Sequence, residues 1–344
     1  MLGKSGAHTQ FDLVPHRPHR RRTAACAGGP EVMAGRDEFA VIDALRARFE
    51  ASAGPLGQGD LGIGDDAAVV SLPGGRQVVL ATDLVVEGVH VDLATSSPED
   101  VGWKALMVAV SDVGAMGCAP SHVLLSVAAP AGFPIERLGD GVAAAAAAAG
   151  CAVVGGDLSA APVLVVSVAA VGPVPDGEAP LRRSGARPGD RLLVTGPLGS
   201  SAAGLRLLAA SGAATSGPLA TAHRRPVARL EEGGLARRAG AGAAIDVSDG
   251  LAADVRHLAE ASGVGVELEL GPALVAEGAT RDEALSGGED YELVLATSDP
   301  DRLRAAFRTV GLRTPLDLGW CTDRPGEWML DGTPLPEAGW RHRF

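Results

Sequence analysis

One short pattern recurs along this chain and limits what it can fold into: an apolar run, a turn of small residues, then one or two acids. It stands as Gly62-Ile63-Gly64-Asp65-Asp66, Ala81-Thr82-Asp83, Val154-Gly155-Gly156-Asp157 and Ile245-Asp246-Val247-Ser248-Asp249. A fifth instance, Gly287-Gly288-Glu289-Asp290, precedes its strand instead of following one. An acid at a strand end beside glycines meets little steric hindrance and can point into a cleft. Several such ends brought together form a pocket of carboxylates that repel one another unless cations intervene. Hard oxygen ligands of this kind suit Mg²⁺, which keeps some of its waters and bridges to substrate phosphates.

Charge supports that reading. The formal net charge is −12, which excludes nucleic acid as the main partner, since backbone phosphates need a basic face. An acidic protein that handles phosphates needs metal ions between the two. Cys26, Cys118, Cys151 and Cys321 are far apart and form no Cys-x-x-Cys, so neither a zinc site nor a disulfide framework is expected, and a reducing, cytoplasmic location fits. No apolar run reaches the roughly 18 residues that a membrane helix requires, so no membrane partner is expected.

The 344 residues suffice for two cores at roughly 150 residues per domain. Residues 1–32 read as a disordered basic tail, with a transit peptide or a start nearer Met33 as the other readings. Next comes an amphipathic helix from Asp37 (Phe39, Ile42, Leu45, Phe49), then strands at Val78–Thr82 and Val85–Val91. Ser97-Pro98-Glu99-Asp100 opens a helix that runs to Gly117. An Ala-rich helix ends at Gly150, and strands follow at Ala152–Val154 and Val163–Val171. The Pro/Gly/Glu-rich stretch 173–180 divides an amino-terminal domain (33–175) from a carboxyl-terminal one (176–344). In the second domain, strands at Arg191–Thr195, Ala243–Val247, Val264–Leu270 and Glu292–Ala296 alternate with helices near 200–210, 228–239 and 251–262. Alternation of this kind indicates α/β or α+β domains.

Each acidic element also has a plainer reading. Gly62-x-Gly64-x-x-Ala67 matches a dinucleotide fingerprint, but a strand follows it where a helix should, and its two acids would repel a pyrophosphate. Ser248 or Asp249 could cap the helix at Leu251. His90 could be a satisfied core histidine, and Glu289-Asp290 a hairpin turn. Asp112 lies on a mostly apolar arc with Val108 and Ala109, which favours an inward position.

Taken together, the motifs resemble the thiamine-monophosphate kinase family, within the superfamily that also holds aminoimidazole-ribonucleotide synthetase and selenophosphate synthetase. The resemblance runs from about Glu38 to the carboxyl terminus. It rests most on Gly62–Val70, Thr82–His90, Lys104–Gly117, Arg183-Ser184-Gly185, Ile245–Asp254 and Ser286–Leu293. It implies a two-domain fold like that of aminoimidazole-ribonucleotide synthetase, whose amino-terminal domain pairs in a homodimer to form a β-barrel, with an α/β carboxyl-terminal domain and ATP in the cleft between them. It implies phosphorylation of thiamine monophosphate by ATP to thiamine diphosphate, the last step of that biosynthesis. Metal roles fall to Asp66, Thr82, Asp83, Asp112, Asp157, Asp246 and Asp249, with Asp65 a neighbour. Asp83, Asp112 and Asp249 are the residues expected to carry the chemistry. ATP contacts fall to Gly156, Asp157, Arg183 and Ser248, and thiamine monophosphate to His90, Glu289 and Trp340. Several Mg²⁺ ions are expected, with K⁺ held open as a monovalent companion.

The sequence departs from the family in two places. Leu158-Ser159-Ala160 follows Asp157 where many relatives have Thr-Thr, and Ala81 stands where some have Ser. Other ATP-dependent activities of the superfamily, cyclase or selenophosphate synthetase, and a non-catalytic nucleotide sensor are the alternatives. Selenophosphate synthetase would need an amino-terminal Cys or Sec with a nearby Lys, which the segment before Gly62 does not offer convincingly.

Overall fold

The computed structural model describes residues 38–53 and 56–342; the expected basic tail lies outside them. The amino-terminal lobe contains α1 (Glu38–Ala53), α2 (Pro98–Ala115) and α3 (Ile135–Ala149), with β1 (Ala68–Ser71), β2 (Gln77–Val86), β3 (His122–Ala129), β4 (Ala152–Ala160) and β5 (Val165–Pro173). The carboxyl-terminal lobe holds β6 (Arg191–Val194), α4 (Ser200–Ser211), α5 (Pro218–Arg224), α6 (Leu230–Ala239), β7 (Ala243–Asp246), α7 (Leu251–Ser262) and β8 (Gly265–Leu268). It ends with α8 (Arg281–Ser286), β9 (Leu293–Thr297), α9 (Pro300–Thr309), β10 (Leu316–Thr322), β11 (Trp328–Leu330) and β12 (Thr333–Pro334).

The first lobe forms a five-stranded sheet in the order β1-β2-β5-β3-β4, in which β3 and β4 are parallel and the other pairs antiparallel. The second forms a seven-stranded sheet, β12-β11-β8-β10-β6-β9-β7, where only β11 and β8 are parallel. The fold is thus α+β in both lobes. Along β2, Val79, Ala81 and Val85 are buried against the helices, while the alternate residues Leu80, Thr82 and Leu84 lie on the exposed face. Strand alternation places Leu84, Ser167, Ser126 and Asp157, which are partners across the sheet, on that same exposed face. The sheet therefore has one packed side and one uncovered, largely apolar side.

Two readings of the strands need correction. Val78–Thr82 and Val85–Val91 are not two strands: β2 runs unbroken through Thr82-Asp83, and residues 87–91 form a turn. Gly155-Gly156-Asp157 is not a loop after a strand but the middle of β4, the edge of its sheet. β3, a mostly apolar run interrupted by Ser126 between Pro120 and Pro130, is a strand not anticipated from the sequence.

Helix α2 is apolar nearly all round, and most of its residues are buried, as expected of a helix packed on several sides. Ser97 caps it in a reciprocal capping box with Asp100, and Pro98 occupies its first turn. It packs on α3 and β2 and reaches across to α6 and β7 of the other lobe. The lobes share their cores: Ala228 and Tyr291 pack into the first lobe's cluster, and Ala115 into one of the second's. A Cβ on Gly233 of α6 would lie 1.9 Å from the Gly114 carbonyl oxygen, so the two helices meet backbone to backbone.

Candidate active site

The seam between the lobes gathers the acids. Asp66 follows a Gly-rich turn, Asp112 lies near the end of α2, and Asp246 ends β7. Oxygens of these three carboxylates all lie within 4.8 Å of one another. Ser111 donates a hydrogen bond to Asp246 Oδ2 at 2.5 Å. Arg183 turns Nε and Nη2 onto Asp66 Oδ1 at 2.9 and 2.6 Å, and its backbone N–H donates to Asp65 Oδ1 at 3.0 Å. The other oxygen, Asp66 Oδ2, is buried without a hydrogen-bond partner.

Crowding and burial push these groups toward their protonated forms. Burial lifts Asp66 to about 7 against the pull of Arg183, and Asp246 and Asp65 push the same way. Asp112 is held well above the carboxylate range by burial and then by Asp246, Asp83 and Asp66. Asp246 is raised by burial, opposed by the Ser111 hydroxyl and Arg183. Asp83 and Asp249 each rise to about 6, chiefly through burial, and both feel Asp246. A carboxylate set that is unfavourable when ionised, with one buried oxygen lacking a partner, fits a divalent cation as its missing counter-charge.

Asp249 is not a helix cap, and neither is Ser248. The cap position of α7 is Gly250, which makes no side-chain cap bond. Asp254, buried inside the helix, reaches back to accept from the backbone N–H groups of Asp249 and Gly250 at 3.1 and 3.0 Å. That bond frees the Asp249 carboxyl to face the cleft and fixes the loop that carries it. In sequence Asp254 looks like any acid in the first turn of a helix, which is why it was missed.

Next to the carboxylates a cleft of about 660 Å³ opens, walled by Asp83, His90, Lys104, Ser248, Glu289 and Trp340 among others. The turn after β2 holds His90, whose Nδ1 accepts from the Val86 N–H at 3.1 Å; burial lowers its pKa. Glu289 is no hairpin turn residue. Its backbone adopts φ 67°, a conformation that costs a non-glycine residue on the order of 1 kcal/mol or more. Its N–H donates to the Ser248 carbonyl at 2.8 Å, and the Tyr291 N–H donates to Val247 at 2.9 Å. These bonds dock the Glu289 loop on the loop of Asp246 and Asp249. A Cβ on Gly288 would lie 2.4 Å from the Ser248 carbonyl oxygen, so only glycine permits that approach. Trp340 is 52% exposed at the rim, and its backbone N–H donates to the Asp249 carbonyl at 2.9 Å.

The remaining expected residues stand apart. Thr82 directs its side chain to the uncovered sheet face, opposite to Asp83. Gly156 and Asp157 lie on β4, with two strands between them and β2, roughly 14 Å across a sheet. Within one chain they do not join the cluster. Gly156 has a packing reason for being glycine, since a Cβ would fall 1.6 Å from the Leu125 carbonyl oxygen.

Two family models match the chain: AIR synthase related protein, N-terminal domain, over residues 64–174, and its C-terminal domain over residues 187–328. The thiamine-monophosphate kinase of Mycobacterium tuberculosis is 40% identical over 319 residues, covering 88% of this chain and 91% of the relative. That of Bacillus subtilis is 38% identical over 257 residues, covering 70% and 79%. A solved structure described as AaThiL complexed with AMPPCP and TMP superposes with a TM-score of 0.77 at 32% identity, covering 89% of this chain and 97% of that one.

Proposed function

This chain belongs to the thiamine-monophosphate kinase family of AIR synthase related proteins, and on that footing we propose that it moves the γ-phosphoryl group of ATP onto thiamine monophosphate in one in-line step. The products are ADP and thiamine diphosphate. The observation that carries this reading is the Asp66–Asp112–Asp246 cluster, next to which Asp83 and Asp249 line a cleft that also holds Glu289.

The nucleophile is a phosphate oxygen of the acceptor. Its second pKa is about 6, so near neutral pH it is already ionised. No general base is needed, and none is assigned. The obstacle is the repulsion between two phosphate groups. Asp66, Asp83, Asp112, Asp246 and Asp249 would hold several Mg²⁺ ions, and Thr82, whose side chain is on the other sheet face, would contribute only its backbone carbonyl there. When bound, these cations neutralise the approaching phosphates and take up charge on the leaving diphosphate. Arg183, already forked onto Asp66, offers a guanidinium beside the cluster for a nucleotide oxygen. Ser248 lies on the same loop, next to Asp249. His90, Glu289 and Trp340 line the acceptor's end of the cleft.

The uncovered apolar side of the five-stranded sheet is the pairing surface of a homodimer, in which two sheets close into a barrel. Asp157 stands on that side, with Gly156 next to it in β4, and the two serve nucleotide and metal in the assembled pair. No helix among the described residues is long and apolar enough to cross a membrane. Cys118, Cys151 and Cys321 are free thiols, in keeping with a place in the cytoplasm. Whether K⁺ adds to Mg²⁺ is decided by the same assay run with and without it. The assay supplies ATP, Mg²⁺ and thiamine monophosphate, then follows ADP and thiamine diphosphate. The expected result is equimolar formation of both, dependent on the acceptor. ADP release that ignores thiamine monophosphate would remove the reading.

A further inference from the structure

Lys104 is a buried cation for which the phosphoryl transfer outlined above has no use. It is 1% exposed and sits in an apolar stretch of α2. Its Nζ lies 2.6 Å from Glu289 Oε1 and donates to the His90 carbonyl oxygen at 3.1 Å. One ammonium group thus ties together the two walls of the cleft, the His90 turn from the first lobe and the Glu289 loop from the second. The second Glu289 oxygen faces His223 Nδ1 at 3.4 Å. That ring nitrogen also lies 3.1 Å from Ser201 Oγ, and Asp290 in turn accepts from the Ser201 backbone N–H at 3.0 Å. Glu289 is therefore anchored on both oxygens, yet each oxygen keeps acceptor capacity toward the cleft. Along α2, Lys104, Val108 and Asp112 follow at i, i+4 and i+8 on one face. The helix rise separates the ends of that stripe by about 12 Å. A single rigid element thus spaces the ring end of the acceptor pocket from the carboxylate cluster.

We propose that Lys104 is a positioning residue for acceptor recognition, acting through Glu289 and with His223 as the second anchor. The proposal rests on the kinase reading above. Lys104 sets where the Glu289 carboxylate lies, and Glu289 receives the hydrogen-bond donors of the acceptor's ring. Removing the cation lets the carboxylate swing toward solvent, since its own side chain is 24% exposed. The cluster at the other end of α2 keeps its ligands.

The test compares wild type, Lys104→Met, Glu289→Gln and the double variant in steady-state kinetics with Mg²⁺-ATP and thiamine monophosphate. Met keeps the length of the side chain but leaves the Glu289 carboxylate without its cation, a charge that the double variant removes. The expected Lys104→Met enzyme has a KM for thiamine monophosphate raised about tenfold or more, with kcat and the KM for ATP within about threefold. The double variant is expected to be no worse than Glu289→Gln alone, because the two residues act as one unit. Multiplicative losses in the double variant, or a fall in kcat at unchanged KM, overturn the proposal. A ligand-free readout separates this from failure of the kinase reading: the His223 ring, titrated by NMR. Burial first, and then the Lys104 charge, hold His223 down to about 4, so Lys104→Met shifts its titration upward. An unmoved His223 in a folded Lys104→Met protein sinks the network whatever the substrate proves to be, whereas absence of turnover in wild type counts against the kinase reading alone.

Discussion

Burial lifts the Asp249 carboxyl to about 6, so the ionised form that would bind a cation is the form the unliganded fold disfavours. Asp249→Asn should therefore lower turnover by roughly 10²-fold or more at limiting Mg²⁺, while thermal melts without metal show a Tm equal to or above wild type. Wild-type rates in that variant would remove Asp249 from the chemistry. The same cause gives a pH dependence. Asp66 rises to about 7 and Asp112 stands well above its usual value. A folded-state pKa above the unfolded one contributes stability that is complete at low pH and is lost as pH rises through the folded value. The histidines lowered by burial, His90, His223 and His257, work in the opposite direction, but only below the unfolded value near 6.5. From pH 7 to 8.5 the carboxylates decide. The metal-free Tm should fall over that range, and Mg²⁺ should raise Tm more at pH 8.5 than at pH 7. Equal gains at both would contradict a cation held by this cluster. Most of the acids were legible in sequence because they stand beside small residues next to an apolar run, and Asp112 because of the apolar arc around it. Lys104, Ser111, His223 and Asp254 were not. A lone Lys or His in an apolar helix has no signature until its partner, more than a hundred residues away for Lys104–Glu289, is placed beside it.

Among elements, the pairing of two loops matters more than any strand. The Glu289 loop and the Asp246–Asp249 loop are joined through the Ser248 and Val247 carbonyls, and Gly288 permits the contact. Gly288→Ala sets a Cβ against backbone that cannot rotate away. It should destabilise by about 1–3 kcal/mol and lower kcat/KM for the acceptor at least tenfold, read by urea unfolding and kinetics. A stable, fully active Ala variant would mean that the loops are not coupled. The glycine pair was visible in the sequence, but its docking partner was not. β2 shows the opposite failure. Thr82-Asp83 reads as the end of an apolar run, yet the strand continues because Asp83 occupies a cleft-facing position and Thr82 an exposed one. Gly155-Gly156 reads as a turn for a similar reason, although both residues lie within the edge strand β4, where Leu125 leaves no room for a side chain at Gly156.

For the whole molecule, the outstanding feature is a sheet packed on one side only. Leu80, Leu84 and Leu124 are 38%, 51% and 48% exposed on its other side, more contiguous apolar surface than a lone copy would be expected to show to water. Leu124→Asp should yield a folded monomer in sedimentation equilibrium where wild type is a dimer; a wild-type protein that is monomeric at micromolar concentration would overturn the pairing. Strand alternation in the sequence gives which residues share a face but not what covers it, so only the family resemblance pointed to a second copy. The lobes, by contrast, are already closed on each other. Ala115, Ala228 and Tyr291 fill each other's cores, and Gly114 meets Gly233 with no side chain between them. The Pro/Gly-rich linker at 173–180 thus looks like a place to cut the gene in two, and it is a poor one. Either fragment would bare apolar surface that the other normally covers. The chain is divisible as text but not as material, and its catalytic seam can be inherited only whole.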